Sequence, residues 1–241
     1  MLQNTKELYG DKLAATDGDL GHLKDFYFDD RRWVVRYLVA DTGSWLSGRL
    51  VLLSPHAFGR LDQFERTLHV KLLKRQIENS PPIEAHPPVS RQYEVEYYRY
   101  YGWPAYWNGA AMWGAGGFPI VLPPSQAETQ AHLRHHRGDD PHLRSTKAAV
   151  GYEIQATDGP AGQVTGFIVD DRTWTICGLT VETGHWYSGK EVVVAPGSVR
   201  QINYEASRVT VNLSKAEIQR ATEADLVQVT TGESASSRFA G

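Results

Sequence analysis

The sequence predicts a mainly β protein: two small β-barrels related by internal duplication, with short helices after each barrel and in the linker. Three observations predict this fold. The sequence repeats itself at a fixed spacing, each copy consists of short β-branched and aromatic segments between turn signals, and the stretch between the copies has a different composition. The predicted boundaries are a first barrel at 5–80, a linker at 81–145, a second barrel at 146–222 and a flexible tail at 223–241.

The repeat is visible without gaps from about residue 10 to residue 77 of the first copy. Ala15 matches Ala156, so the repeat offset is 156 − 15 = 141 residues. Residue types that seldom match by chance recur at this offset, namely Asp29 and Asp170, Trp33 and Trp174, Gly43 and Gly184, Trp45 and Trp186, and Pro55 and Pro196. The repeat offset therefore predicts two equivalent folding units.

The first half of each copy is predicted to be a hairpin. In the first copy, residues 23–28 form a strand, Asp29-Asp30-Arg31 a turn, and Trp33 the start of a second strand. Paired aspartates could also serve acid/base chemistry or bind a hard cation, but the turn interpretation is simpler. The apolar alternation of the second strand changes phase at Arg36-Tyr37, and at Cys177-Gly178 in the second copy, which predicts a bulge.

The second half of each copy adds further strands and a short helix. Residues 51–53 are a continuous apolar run, and 68–72 alternate between apolar and polar residues. In the second copy the helix starts at Ser214, with Glu217 in the position of a capping box. Because units this small bury little core, we expect them to pack on each other, on the linker or on a second chain.

The order of these motifs resembles the PRC-barrel family. Each copy has D-G-x-x-G-x-[LV] before a strand that ends in Asp-Asp, then Trp, then T-G-x-W-x-S-G-[RK], and finally Pro before the last strands. The resemblance covers roughly 5–80 and 146–222. The family is named for the cytoplasmic domain of the photosynthetic reaction centre H subunit, and its barrel also occurs in a ribosome-maturation factor.

The resemblance implies a β-barrel that binds other proteins, and its motif carries no catalytic residues. With neither a transmembrane helix nor an additional domain before the first copy, the chain is expected to be a stand-alone tandem PRC-barrel protein. Family analogy connects it with photosynthetic reaction-centre or ribosome-maturation assemblies, although a fold alone does not fix a function.

Composition narrows the expected partners and compartment. The net charge of −3 offers no broad basic surface, so nucleic acid is not an expected partner. Cys177 is the single cysteine, which excludes an intrachain disulfide, favours a cytoplasmic location and suits a small core residue. No apolar stretch reaches the roughly 20 residues of a membrane span.

The linker holds the main interaction candidates. A helix is predicted at about 91–101, ended by Gly102, although 93–97 also alternates like a strand. Aromatic residues of this kind either cover their own barrels or a homodimer contact, or bind a different protein. The candidate residues are Tyr93, Tyr97, Tyr101, Trp103, Trp107, Trp45 and Trp186, although a place in the core or at the contact between the copies is favoured for the last two.

Chemistry at a metal or catalytic centre is not expected. His132, His135 and His136 are the residues that a metal would use, but their spacing matches no zinc signature. No nucleophile elbow or phosphate-binding loop is present, and no cofactor is predicted. The sequence therefore predicts a non-catalytic protein-interaction or scaffolding protein, not an enzyme. The alternative is a protein that binds a small ligand or metal in a cleft between the barrels.

Overall fold

The computed structural model describes residues 1–81, 91–105, 142–184 and 190–220, and of 91–93 the backbone only. The chain divides into two units. The first unit is Gly10–Arg144, and the second unit combines Met1–Tyr9 with Ser145–Gly241. Each unit is built on a seven-stranded sheet, so the mainly β prediction is confirmed. Across the described ranges, no helix has the length and apolar character needed to cross a membrane.

The sheet of the first unit has the strand order β5-β4-β3-β2-β7-β6, with β8 paired to β3. Neighbours along this order are antiparallel except β2 and β7, which are parallel. The elements are β2 (Lys12–Ala15), β3 (Gly18–Asp29), β4 (Val34–Asp41), β5 (Leu50–Leu53), β6 (Phe58–Asp62), β7 (Thr67–Val70), α2 (Lys74–Glu78), α3 (Arg91–Tyr101) and β8 (Leu143–Ser145).

The second unit has the corresponding order, β12-β11-β10-β9-β14-β13, with β1 paired to β10. Its parallel pair is β9 and β14. The elements are β1 (Leu2–Asn4), α1 (Thr5–Leu8), α4 (Thr146–Ala149), β9 (Glu153–Ala156), β10 (Gly159–Asp170), β11 (Ile176–Glu182), β12 (Glu191–Val194), β13 (Val199–Asn203), β14 (Arg208–Val211) and α5 (Lys215–Arg220).

One long strand organises each sheet. β3 pairs with β2 through its first residues and with β4 through the rest. At Gly21, where the pairing changes, φ is +125° and an added Cβ would lie 2.0 Å from the Asp41 carbonyl oxygen. Gly162 of β10 is in the same position, with 2.1 Å to the Glu182 carbonyl oxygen. The second glycine of the D-G-x-x-G motif is thus required by close backbone approach.

The prediction of closed barrels is wrong, because among the described strands each sheet is an open path. In the first unit the reason lies at the edge of β5. The Tyr97 hydroxyl donates to the Leu52 carbonyl oxygen at 2.7 Å and accepts from the Ser54 N–H at 3.3 Å. These are backbone groups that a closing strand would use, so a side chain from α3 takes the place of the missing strand.

The predicted bulges are confirmed at both positions. Tyr27 pairs with Tyr37 and Phe28 with Val35, which leaves Arg36 as the extra residue of β4. In the second unit the same register shift leaves Cys177 as the extra residue of β11. Cys177 is buried and packs with Val193 and Ile168, as predicted for a small core residue.

The hairpin turn before the bulge differs from the prediction in one respect. β4 begins at Val34, not at Trp33, because Trp33 has φ 53° and its N–H donates to the Asp29 carbonyl oxygen at 2.8 Å. Trp174 has the same conformation, with φ 56°. The turn interpretation of Asp29 is confirmed, since its carboxylate accepts from the backbone N–H groups of Arg31 and Arg32.

The capping box predicted for the second unit is also confirmed. The Ser214 N–H donates to Glu217 Oε2 at 2.7 Å, and the Glu217 N–H donates to Ser214 Oγ at 3.3 Å. These two reciprocal bonds satisfy backbone donors that α5 itself cannot use.

Candidate protein interface

Helix α3 covers one face of the first unit's sheet. It spans Arg91–Tyr101, as predicted, and ends at Gly102, whose φ of +68° breaks the helix. Tyr97 and Tyr98 are each only 2% exposed. They pack in a cluster with Tyr27, Tyr37, Val39, Leu52 and Leu143. Among the alternatives that the sequence left open for the linker, these residues of the helix pack on their own chain.

Tyr98 was not predicted to face the sheet. The candidates predicted from the sequence for this helix are Tyr93, Tyr97 and Tyr101, which share a face at intervals of four residues, whereas Tyr98 is one residue beyond Tyr97. The missed signal is Glu94, four residues before Tyr98 and fully buried. Tyr37 Oη donates to Glu94 Oε1 at 2.6 Å, so the helix turns a polar as well as an aromatic stripe toward the sheet.

A buried polar network lies beneath α3. Tyr98 Oη is 3.4 Å from Ser54 Oγ. Arg36, brought inside by the bulge, is fully buried, and its Nη2 lies 3.1 Å from Asp29 Oδ2. Burial raises the pKa of the Tyr98 hydroxyl, which keeps it protonated at neutral pH. Buried hydrogen bonds of this kind define the position of the helix because any shift would leave polar groups without partners.

His56 lies at the margin of this network. Its ring stacks on Trp103 with centroids 5.8 Å apart and meets Tyr98 edge to face at 6.2 Å. Burial lowers the pKa of His56, and the positive charge of Arg36 lowers it further. The imidazole is therefore neutral at pH 7 and serves as a flat packing surface for Trp103.

Three aromatic residues form the outward part of the cluster, and we call Tyr100, Tyr101 and Trp103 the aromatic patch. The rings of Tyr101 and Trp103 are stacked, 4.4 Å apart and 12° from parallel. Tyr100 is 42% exposed, whereas Tyr101 and Trp103 are half-buried. The Tyr100 hydroxyl donates to the Gln76 carbonyl oxygen at 3.0 Å. Burial raises the pKa of Tyr101 to about 12.

The aromatic patch has the physical character of a protein-binding surface. Its rings are held in place from behind by the buried Tyr97 and Tyr98, so little side-chain entropy remains to be lost on binding. Stacked, partly buried Tyr and Trp side chains supply apolar area together with polar edges, and such residues are enriched at interface hot spots.

The other predicted candidates are placed elsewhere. Trp45 is half-buried; its Nε1 donates to the Leu20 carbonyl oxygen at 2.7 Å, and Lys74 Nζ lies 4.5 Å above its ring. These contacts hold the Gly43–Leu46 turn against β3. The side chain of Tyr93 and all of Trp107, Trp186, His132, His135 and His136 lie outside the described residues. Within the described ranges no cluster of three or more His, Cys, Asp or Glu could hold a metal ion.

The second aspartate of each Asp-Asp pair has a role that the sequence did not reveal. Asp30 accepts from Arg144 Nε at 2.8 Å and lies 2.9 Å from His142 Nδ1. In the second unit Asp171 accepts from the Met1 ammonium group at 2.5 Å. Each of these aspartates anchors a strand that comes from the other copy of the repeat.

Neither a known protein family nor a curated protein matches this chain.

Proposed function

We propose that this chain is a non-catalytic protein-interaction or scaffolding protein, built from two PRC-barrel-related units that arose by internal duplication. The repeat offset, the shared motif and the corresponding strand orders support this origin. The family analogy favours a partner in a larger protein assembly, such as a photosynthetic reaction centre or a ribosome-maturation complex.

The observation that carries the proposal is the aromatic patch. Tyr101 and Trp103 are stacked on each other, partly buried and backed by the buried Tyr97 and Tyr98. Burying the rest of these rings against a partner would release water from apolar area while costing little side-chain entropy. The partner is another protein molecule, either a different protein or a second copy of this chain.

Site-specific photo-crosslinking tests the proposal. A photoreactive phenylalanine analogue replaces Tyr100 in the intact chain, which is irradiated in an extract of the cells that make it. The matched control places the same probe at Phe64, which is 95% exposed in the same unit and outside the patch. We expect discrete crosslinked proteins with the Tyr100 probe, lost when Trp103→Ala is added, and none of them with the Phe64 probe.

Identical crosslinked products from both probes, or an unchanged pattern with Trp103→Ala, would contradict the proposal. Circular dichroism of each variant shows that the fold is retained, because Trp103 is only half-buried and its loss leaves the helix contacts of Tyr97 in place.

A further inference from the structure

The two copies of the repeat have exchanged their first strands. β1 precedes the first copy in the sequence but pairs with β10 of the second unit, Leu2 opposite Asp170 and Asn4 opposite Ile168. β8, which is β1 moved by the repeat offset, pairs with β3 of the first unit. Each sheet is thus completed by a strand delivered from the other copy.

The second unit has a specific acceptor site for this segment. The buried Thr5 hydroxyl accepts from the Phe167 N–H at 3.2 Å, and Leu8 is 5% exposed. Gly166 leaves room for Asn4, since an added Cβ would lie 2.8 Å from Asn4 Oδ1. Backbone pairing, a buried threonine and a glycine-lined space together recognise residues 1–9.

The corresponding position of the first unit is built differently. Asp25 occupies the position of Gly166, and its own carboxylate accepts from the Phe26 N–H at 2.7 Å. The amide that bonds Thr5 in the second unit thus has a local acceptor in the first unit. The glycine beside Asn4 is a feature of β10.

The segment is joined to the first unit through a single glycine hinge. Gly10 has φ +83°, and an added Cβ would meet no atom within 4 Å. On one side of this hinge α1 packs against β10, and on the other side the Gly10 N–H donates to the Leu23 carbonyl oxygen at 2.8 Å. Gly10 therefore holds the chain in the left-handed conformation at the point where residues 1–9 meet the first unit.

We propose that the acceptor edge of β10 also binds residues 1–9 of a second copy of this chain, which produces a dimer with reciprocally exchanged segments. The same contacts form in the closed monomer and in the exchanged dimer, so the hinge and the protein concentration set the balance between them. The exchange uses a different surface from the aromatic patch and does not depend on the function proposed for that patch.

The hinge provides the first test. Gly10→Ala strains the left-handed conformation of the monomer, and an extended hinge in the dimer removes that strain. We expect the dimerisation constant to rise about tenfold for each of the two hinges, about a hundredfold in all. Gly43→Ala is the matched control, because Gly43 also has positive φ, +55°, and open space but lies in a turn with no segment to exchange. Sedimentation velocity over a range of concentrations measures both variants.

A disulfide trap identifies the exchange itself. In a Cys177→Ala background, one tagged copy carries Gln3→Cys and a differently tagged copy carries Val169→Cys, at positions that are opposite each other in the β1–β10 ladder. Co-expression followed by oxidation should give a disulfide between the two tags, more of it with Gly10→Ala. Adding Gly166→Ala, which crowds the Asn4 side chain, should lower its yield.

Two results would overturn the proposal. One is a Gly10→Ala dimer without the mixed disulfide, and the other is a mixed disulfide whose yield is unchanged by Gly166→Ala. If Gly10→Ala does not fold, the disulfide trap is repeated with the natural Gly10 at high protein concentration. A higher yield of mixed disulfide without Gly166→Ala than with it supports the exchange. Equal yields from these two samples refute it.

Discussion

The two units share one strand order but differ in the chemistry of a corresponding sheet face. In the first unit this face is aromatic and polar and is covered by α3, whereas in the second it is made of small or aliphatic residues. The differences at the repeat offset are Tyr27 against Ile168, Arg36 against Cys177, Tyr37 against Gly178, Ser54 against Ala195, and His56 against Gly197.

The positions that match build the sheet, and the positions that differ decide what covers it. Gly21 and Gly162 permit the same close backbone approach, and Phe26 and Phe167 are both fully buried. Arg36 and Cys177 occupy the same bulge but suit different neighbours, a carboxylate network in one case and an apolar cluster in the other. Within the described residues, one framework therefore carries a covering helix on an aromatic face in the first unit and an apolar cluster in the second.

The largest expected effect concerns the shared framework. Gly21→Ala places a Cβ against the Asp41 carbonyl oxygen and should destabilise the chain by about 4 kcal/mol or more, because backbone, not a flexible side chain, must move. Gly43→Ala should cost only about 1–2 kcal/mol from its left-handed conformation. Urea denaturation compares them, and equal losses would show that the close approach does not shape the sheet.

A smaller loss is expected at the face of the first unit that α3 covers. Tyr97→Phe removes the hydroxyl that bonds Leu52 and Ser54 and should cost about 1–3 kcal/mol, the penalty for buried backbone groups without partners. Tyr100→Phe, which loses a bond at the exposed surface, is the control and should cost less than about 0.5 kcal/mol. Similar unfolding midpoints for both variants would argue against Tyr97 as the substitute for a closing strand.

The capping box sharpens the comparison at the end of each copy. Ser214→Ala should destabilise the second unit by about 1 kcal/mol, because the α5 N-terminus loses its hydroxyl acceptor. The first copy has Leu73 at this position and cannot show the effect. Thermal unfolding of Ser214→Ala measures this loss of stability, and Ser214→Thr, which keeps a hydroxyl, is the control. Equal melting temperatures for these two variants would contradict the prediction.

The smallest effect is a dependence on pH confined to the first unit. Burial, and then Arg36, lowers the pKa of His56 below its ordinary value of 6.5. The unfolded chain therefore binds a proton at His56 more readily than the folded chain does. The stability that the neutral His56 contributes is complete above pH 6.5, and the free energy of unfolding decreases as the pH falls below that value. His56→Gln should flatten the slope of unfolding free energy between about pH 7 and 5, and an unchanged slope would count against a buried neutral imidazole.

Much of the framework could be predicted because it follows local pattern. The phase change at Arg36 predicted the bulge, and Gly102 predicted the end of α3. The left-handed Trp33 could not be foreseen, since aromatic residues normally favour strands and tertiary packing against Phe28 overrides that preference here.

The features that escaped prediction depend on contacts between distant parts of the chain. The number of strands led us to expect closed barrels. In the first unit, however, the hydroxyl of Tyr97, more than 40 residues beyond β5, bonds backbone groups at the edge of the sheet formed by β5. The exchange of β1 escaped because Leu2–Asn4 is too short to show a periodicity, and its partner strand lies in the other copy. Tyr98 escaped because its alignment with Glu94 matters only once Tyr37 is known to lie opposite.

The most direct test of the recognition surface is the affinity of the protein captured by the Tyr100 photoprobe, measured by calorimetry with purified components. Tyr101→Ala/Trp103→Ala should weaken binding at least about thirtyfold, as expected for loss of two hot-spot aromatics, whereas Phe64→Ala should leave the Kd within about twofold. An unchanged Kd for the double variant would contradict the assignment of protein recognition to the aromatic patch.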